Sequence, residues 1–315
     1  MAFGAFGAAP NPGVAGRAFG APAGDSNPRR RSSVVLLLLL PGLAYLGLFF
    51  LVPLVSLVIT SLQMPDLNGD FGEYTYGLNW QTYPDVIWNY RFIILRSFGY
   101  ALAATILALA IGYPLAYFIG VKLRRFPLVQ ALALTLVIAP FFISFLLRTL
   151  AWKQILSDEG PVLSFLNALS ILPPDAHFTG TPGAVIFGLT YNFIPFMTLP
   201  IYASLERLDL RYLEAGSDLY ASPASTFARV TVPLSLPGVV SGTLLTFIPA
   251  AGDYVNASRD FLGSTETAMI GNVVEAQFLQ LGNYPVAATL SIVLMAAILL
   301  IVGVYVAIVG TKDLV

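Results

Sequence analysis

Of 315 residues, 57% are hydrophobic and only 10% are charged, with a formal net charge of −1. Soluble domains carry about 25% charged residues, so this composition belongs to an integral membrane protein. There is no cysteine and a single histidine, His177, which excludes a disulfide framework, a thiolate metal site and a His-based metal cluster.

Residues 1–33 are rich in Gly, Ala and Pro, with the short echoes GAFGA and RAFGAPAG. Such a segment buries too little to offset its ordering entropy, which predicts a disordered cytoplasmic tail. Arg29, Arg30 and Arg31 then precede an apolar run over 34–62. A cleaved signal peptide has an apolar core of only about 7–15 residues, whereas about 20 cross a bilayer. The run is therefore a signal anchor and first transmembrane helix, with kinks expected at Pro41 and Pro53. Five further spans follow from apolar length, over 92–120, 128–150, 183–205, 238–252 and 286–309. The fifth is short. Its end at 249–252, Pro-Ala-Ala-Gly, predicts a broken or re-entrant helix lining a cavity.

Between the fourth and fifth spans lies 206–237, ERLDLRYLEAGSDLYASPASTFARVTVPLSLP, with seven of the chain's 33 charged residues. Leu205, Leu208, Tyr212, Ala215 and Leu219 recur at intervals of three and four, which predicts one helix with these residues on a shared face. Ala221-Ser222-Pro223 breaks the pattern, with Ser222 as N-cap and Pro223 at the first helical position. Phe227, Val230 and Leu234 mark a second helix, which Pro233 and Pro237 end. Two short amphipathic helices meeting at an elbow read as a docking surface.

The basic residues set the orientation. Arg17, the 29–31 run, Lys122, Arg124, Arg125, Arg207, Arg211, Arg229 and Lys312 fall on one side, eleven of the sixteen. The positive-inside rule puts this side and both termini in the cytoplasm. The other side holds Arg91, Arg96, Arg148, Lys153 and Arg259 against eleven acids, an excess of about six negative charges. That excess either gathers cations or simply keeps the outer loops soluble.

No catalytic constellation is present: no phosphate-binding Gly-Lys loop, no nucleophile elbow and no zinc motif. The chain reads as no enzyme and binds no cofactor by any motif of its own, so driven transport takes its energy from another subunit or an ion gradient. Ionisable residues at span ends are the functional candidates. Asp253 follows the Pro249 break, with Tyr254 beside it; the pair either holds an ammonium group or meets interfacial water. Glu275 either lines the same mouth or sits on a solvated face. Arg148 with Trp152 reads as a snorkelling cation beside an aromatic anchor. Trp80, Tyr83 and Trp88 read as an interfacial belt, and His177 as an exposed loop residue.

The elbow resembles the EAA loop of ABC importer permeases, in which Glu-Ala-Ala is followed by a Gly and later by Ile-x-Leu-Pro. Glu214 and Ala215 match, Gly216 takes the second Ala position, Val230 and Val232 take the Ile and Leu positions, and Pro233 matches. The family's Gly, six residues after the Glu, is Tyr220 here. Gly would allow a left-handed backbone that Tyr adopts only with strain. Either Ala221–Pro223 makes the elbow alone, or the partner's cleft has a matching recess. The strings RTLAWKQILSDEGPVLSFLNAL and FIPAAGDYVNASRDFLGSTETAMIGNVVEAQFLQLGNYPVAATLSIVL further resemble spermidine/putrescine (polyamine) permeases of the B type.

The resemblance implies an all-α, six-span, type I importer fold (MetI-like) with a permease core over 92–310, in a bacterial inner membrane. It also implies a second, C-type permease, two copies of a cytoplasmic ATPase carrying ATP and Mg, and an outer substrate-binding protein. No nucleic acid enters this scheme. Glu214, Ala215, Gly216, Asp218, Tyr220, Ala221, Ser222 and Pro223 are expected to face the ATPase. Phe247, Asp253, Tyr254 and Glu275 are expected to line the substrate path. Other small cationic or amino-acid-derived solutes, an ion-gradient-driven secondary transporter and a non-transporting scaffold are the rival readings. A secondary transporter predicts an inverted repeat and ionisable groups at the bilayer midplane, and the sequence shows neither.

Overall fold

Backbone N–H and C=O groups have no water to pair with in hydrocarbon, so a spanning segment satisfies them within a helix. The computed structural model describes residues 38–66, 72–169, 173 and 177–309. The Gly/Ala/Pro tail, the arginines at 29–31, Asp70, Asp175 and Lys312 lie outside the described residues. Among the described residues the helices are α1 Leu38–Ser61, α2 Thr82–Arg125, α3 Pro127–Phe142, α4 Phe145–Leu156, α5 Pro161–Ala168, α6 Pro182–Glu206, α7 Arg211–Asp218, α8 Pro223–Ala251, α9 Ile270–Glu275 and α10 Tyr284–Val309. A two-stranded antiparallel hairpin pairs Met64 with Thr75 and Pro65 with Tyr74. Among the described residues, five helices have the length and apolarity to cross a membrane, or six if α3 and its bent continuation count as one span.

By internal packing the chain divides into two units, Met1–Leu54 and Val55–Val315. In the first, the described residues are the N-terminal part of α1. Its phenylalanines and its leucines up to Leu51 are exposed, the surface of a helix solvated by lipid. A wide π turn over Gly47–Leu51 ends two residues before Pro53. The proline cannot donate to the turn before it and its ring crowds that turn's carbonyl, and a π turn makes room for both.

In the second unit α6 is the central helix, packed against α2 and α8. Thr181 caps it by accepting from the Ala184 N–H at 3.2 Å, and Pro182 starts it. Val185, Leu189, Met197, Ile201 and Leu205 recur every four residues or a multiple of four and are fully buried. Opposite them α2 presents Ala101, Ala104, Ala108 and Ala116. Lipid tails are as apolar as leucine, so close contact rather than escape from water holds such helices together, and small residues permit that contact. Gly238 and Gly242 of α8 do the same. A Cβ on Gly238 would sit 2.6 Å from the Pro200 carbonyl oxygen, and one on Gly242 would sit 2.9 Å from that of Met197. The hydroxyls of Thr190, Thr198, Ser241 and Thr243 donate to carbonyls four residues back, so these four polar side chains are satisfied within their own helix.

Four sequence expectations change. The helix predicted through 205–219 is two pieces: α6 ends at Glu206, a turn follows, and α7 starts at Arg211, where Asp209 Oδ1 accepts from the Arg211 N–H at 3.0 Å. Leu208 is buried while Leu219 is 81% exposed, so the supposed common face does not exist. Secondly, Pro233 and Pro237 do not end the helix after the elbow. A π turn at Phe227–Thr231 accommodates Pro233, Pro237 lies inside the helix, and α8 runs unbroken to Ala251. The fifth span is thus a full-length helix rather than a short re-entrant one. Thirdly, the 128–150 span bends by 95° between Phe142 and Phe145. Pro140 tightens the end of α3 into a 3₁₀ turn, and Ile143 and Ser144 are extended. Lastly, Arg148 does not snorkel: it is buried, and its Nε and Nη1 have no hydrogen-bond partner among the described residues.

Candidate functional site

At one end of the second unit the 206–237 stretch is held against α2 by a cation. Arg124 donates through Nη1 to the Leu208 carbonyl at 2.8 Å and through Nη2 to the Glu206 carbonyl. These carbonyls have no partner within α6, and a guanidinium at a helix C-terminus both bonds them and matches the helix dipole. Beside this clamp lies a groove of 560 Å³, lined by Lys122, Arg125, Glu214, Ala221, Pro223 and Phe227 among others. Tyr113 and Tyr117 meet the Phe227 ring edge-on, at 5.6 and 5.4 Å. The elbow is therefore seated on the end of α2 and is not a loose connection.

The turn between α7 and α8 is made by caps of both kinds. Ser222 Oγ accepts from the Ser225 N–H at 3.2 Å, and Pro223 occupies the first turn of α8, as the sequence predicts. On the other side, the Ala221 N–H donates to the Gly216 carbonyl at 3.0 Å, the bond that closes a helix whose following residue is left-handed. That residue is Tyr220, with φ 56°, and among the described residues no other non-glycine has positive φ. A bulky side chain there costs about 1–2 kcal/mol. The elbow is thus not made by Ala221–Pro223 alone. Gly216 has its own reason: a Cβ there would lie 2.9 Å from Thr226 Oγ1, so α7 approaches the start of α8 more closely than alanine allows. Glu214, Ala215, Asp218, Ser222 and Pro223 are exposed, and Ala221 is half-buried.

The 29-residue α8 rises about 1.5 Å per residue, which places its end roughly 40 Å from the elbow. There the four expected path residues separate. Phe247 is buried and stacks on Phe98 at 6.2 Å within the core. Asp253, just beyond the span, is also buried: Oδ1 accepts from the Asn256 N–H at 2.8 Å, and Oδ2 from Asn256 Nδ2 at 3.0 Å. Burial pushes its carboxyl up to about 6, against the pull of the Asn256 amide groups. Tyr254 and Glu275 are brought together instead. Both line a cavity of 610 Å³ otherwise walled, Ser291 apart, by glycines and apolar side chains, among them Ile248, Phe278, Met295 and Ile298.

A polar line that sequence reasoning missed runs inward from Asp253. Asn256 holds Asp253 at one end, and its Oδ1 accepts from Asn192 Nδ2 at 3.1 Å; Asn192 Nδ2 also donates to Thr149 Oγ1 at 3.0 Å. The signal was present, since Asn192 is an amide within an otherwise apolar span, and a polar group buried there must have partners. The neighbouring loop is pinned by cations on its carbonyls, Arg96 on Ala268 at 2.9 Å and Lys153 on Asp260 at 2.8 Å. His177 is exposed and its Nδ1 lies 2.8 Å from Asp158 Oδ2. Trp88 stays exposed with Arg91 over its ring at 4.2 Å.

No family model matches the chain. Individual relatives do. It is 36% identical to the spermidine/putrescine transport system permease protein PotB of Escherichia coli K12, over 262 residues covering 83% of this chain and 92% of the relative. The chain belongs to that permease family. PotB of Haemophilus influenzae is 37% identical over 71% of this chain and 74% of its own. The inner membrane ABC transporter permease YdcU of E. coli K12 is 31% identical, over 64% of this chain and 66% of its own. Among solved structures, a chain of the bacterial ABC transporter that imports the acidic polysaccharide alginate superposes with a TM-score of 0.64 at 16% identity, covering 87% of this chain and 93% of that one. A chain of the inward-facing MetNI methionine ABC transporter gives 0.52 at 19%, covering 69% and 93%. At these identities the likeness is one of fold, and the fold is that of ABC transporter permeases, in a multi-pass membrane protein.

Proposed function

We propose that this chain is a permease subunit of an ATP-driven polyamine importer and forms half of its translocation path. The observation that carries the reading is the 36% identity to a spermidine/putrescine permease across 83% of the chain. In this reading the second half is a C-type permease, an outer binding protein delivers substrate, and two cytoplasmic ATPase copies hold ATP and Mg. ATP hydrolysis falls to those copies, not to this chain. Both termini and the 206–237 elbow lie in the cytoplasm, as the basic residues around the elbow favour. ATPase closure moves the elbow, and the rigid seat of that elbow on Arg124 and α2 passes the movement to the spans.

On this reading the path passes the cavity shared by Tyr254 and Glu275. A polyamine is a string of ammonium groups separated by methylenes. An apolar cavity with a carboxylate and an aromatic face at one edge matches both parts, the first by charge and cation–π attraction, the second by contact. Asp253, whose two oxygens are already held by Asn256, contributes to the shape of that edge rather than to the ligand. The test is Glu275→Gln in the reconstituted complex. Spermidine-stimulated ATP hydrolysis and uptake should fall by about tenfold, the equivalent of about 1.4 kcal/mol, with assembly unchanged. Full uptake by this variant would move the path away from the cavity.

A further inference from the structure

We infer that Tyr220 is an aromatic anchor, which this chain inserts into an apolar recess of the partner ATPase. The inference rests on the proposed docking of the elbow and goes further, to one side chain and the shape that receives it. Tyr220 is held in the left-handed region at φ 56°, which a bulky L residue adopts against steric resistance. Glycine would close the same helix end without that resistance. The ring gains nothing from the described residues in exchange: it is 99% exposed, and Leu219 beside it is 81% exposed.

Strain with no internal compensation points outward. The geometry also fixes the direction. The Ala221 to Gly216 bond on one side and the Ser222 cap on the other leave the left-handed residue at the apex of the turn, so its side chain leads whatever the elbow enters. Arg124 and the Phe227 aromatic cluster hold the base of the elbow, so the ring is presented on a firm support. Tyrosine suits this use, because it covers a large area with few rotatable bonds and its hydroxyl remains able to pair. Glu214 and Asp218 are exposed nearby, so the recess should be apolar at its floor and basic at its rim. The partner is the ATPase because the elbow is the polar, inward-facing part of a permease of this family, away from lipid and from the path.

The experiment compares Tyr220→Gly, Tyr220→Phe and Glu214→Lys in the assembled permease pair in lipid nanodiscs. Thermal unfolding of the pair and equilibrium binding of the purified ATPase are measured for each. Tyr220→Gly should raise the unfolding temperature, because the strain is gone, yet weaken ATPase binding by about tenfold or more, as loss of an interface hot spot does. Tyr220→Phe should leave the unfolding temperature unchanged and keep ATPase binding within about threefold of the original. If Tyr220→Gly binds the ATPase as well as the original chain while Glu214→Lys does not, the elbow docks but the anchor is wrong. If neither substitution changes binding, the docking of 206–237 itself falls and the anchor with it.

Discussion

A carboxyl group enclosed by protein titrates differently from one at the mouth of a pore, and Asp253 is enclosed. Burial raises its pKa from 3.8 to about 6, so the folded state favours the protonated form. The stability this adds is fully present below the unfolded value and is lost as pH rises through about 6. A shift of about two units corresponds to an effect of ~3 kcal/mol. Asn can accept the Asn256 N–H through its own oxygen, so Asp253→Asn should keep the turn and remove the titration. The permease in detergent is expected to melt at lower temperature as pH goes from about 4 to about 7, and the variant should lose most of that slope. Equal slopes for both would show that the Asp253 charge is solvated, as a residue at an open mouth would be. The same burial is why sequence could place Asp253 at the end of a span without seeing that Asn256 occupies both of its oxygens. Glu275, by contrast, lines a cavity, which no residue pattern announces.

Among the elements, α8 departs most from what its sequence suggests. Its prolines read locally as stops, because a proline removes one helical hydrogen bond and crowds the preceding turn. In the folded chain a wide turn at Phe227–Thr231 absorbs Pro233, and packing against α6 supports the remainder, so tertiary contact overrides the local signal. The α6 span was legible because apolar length alone marks 183–205, against Pro182–Glu206 in the fold; the break after α3 was not, because apolar length alone says nothing of direction. The α6–α8 contact depends on Gly238, where a Cβ would meet the Pro200 oxygen at 2.6 Å and the Ile201 Cα at 2.9 Å. These are backbone atoms and cannot swing aside. Gly238→Val should therefore separate the two helices and cost about 2–3 kcal/mol or more. The readout is the yield and unfolding temperature of the purified permease, with Leu236→Val, at an exposed position of the same helix, as the control. A Gly238→Val protein as stable as that control would mean the helices are not in contact here.

For the whole molecule, the family was readable because the elbow motif and the 247–294 string carry chemistry that packing alone does not require. The sidedness of the chain is a separate physical matter, set by where positive charge can remain while the chain inserts. It also decides whether an ATPase can reach the elbow at all. The chain itself supplies the means to test it, since it contains no cysteine and any introduced thiol is then the only reactive one. Arg229, in the 206–237 elbow near the start of α8, and Asp260, in the loop beyond the other end of α8, are both exposed. Cells expressing Asp260→Cys should be labelled by a membrane-impermeant maleimide once the outer membrane is opened. Arg229→Cys should react only after the inner membrane is also permeabilised. The opposite pattern would put the elbow outside the cell. It would remove the ATPase as its partner and leave the strain at Tyr220 without an explanation, so this one labelling pattern constrains the docking surface, the anchor and the direction of transport together.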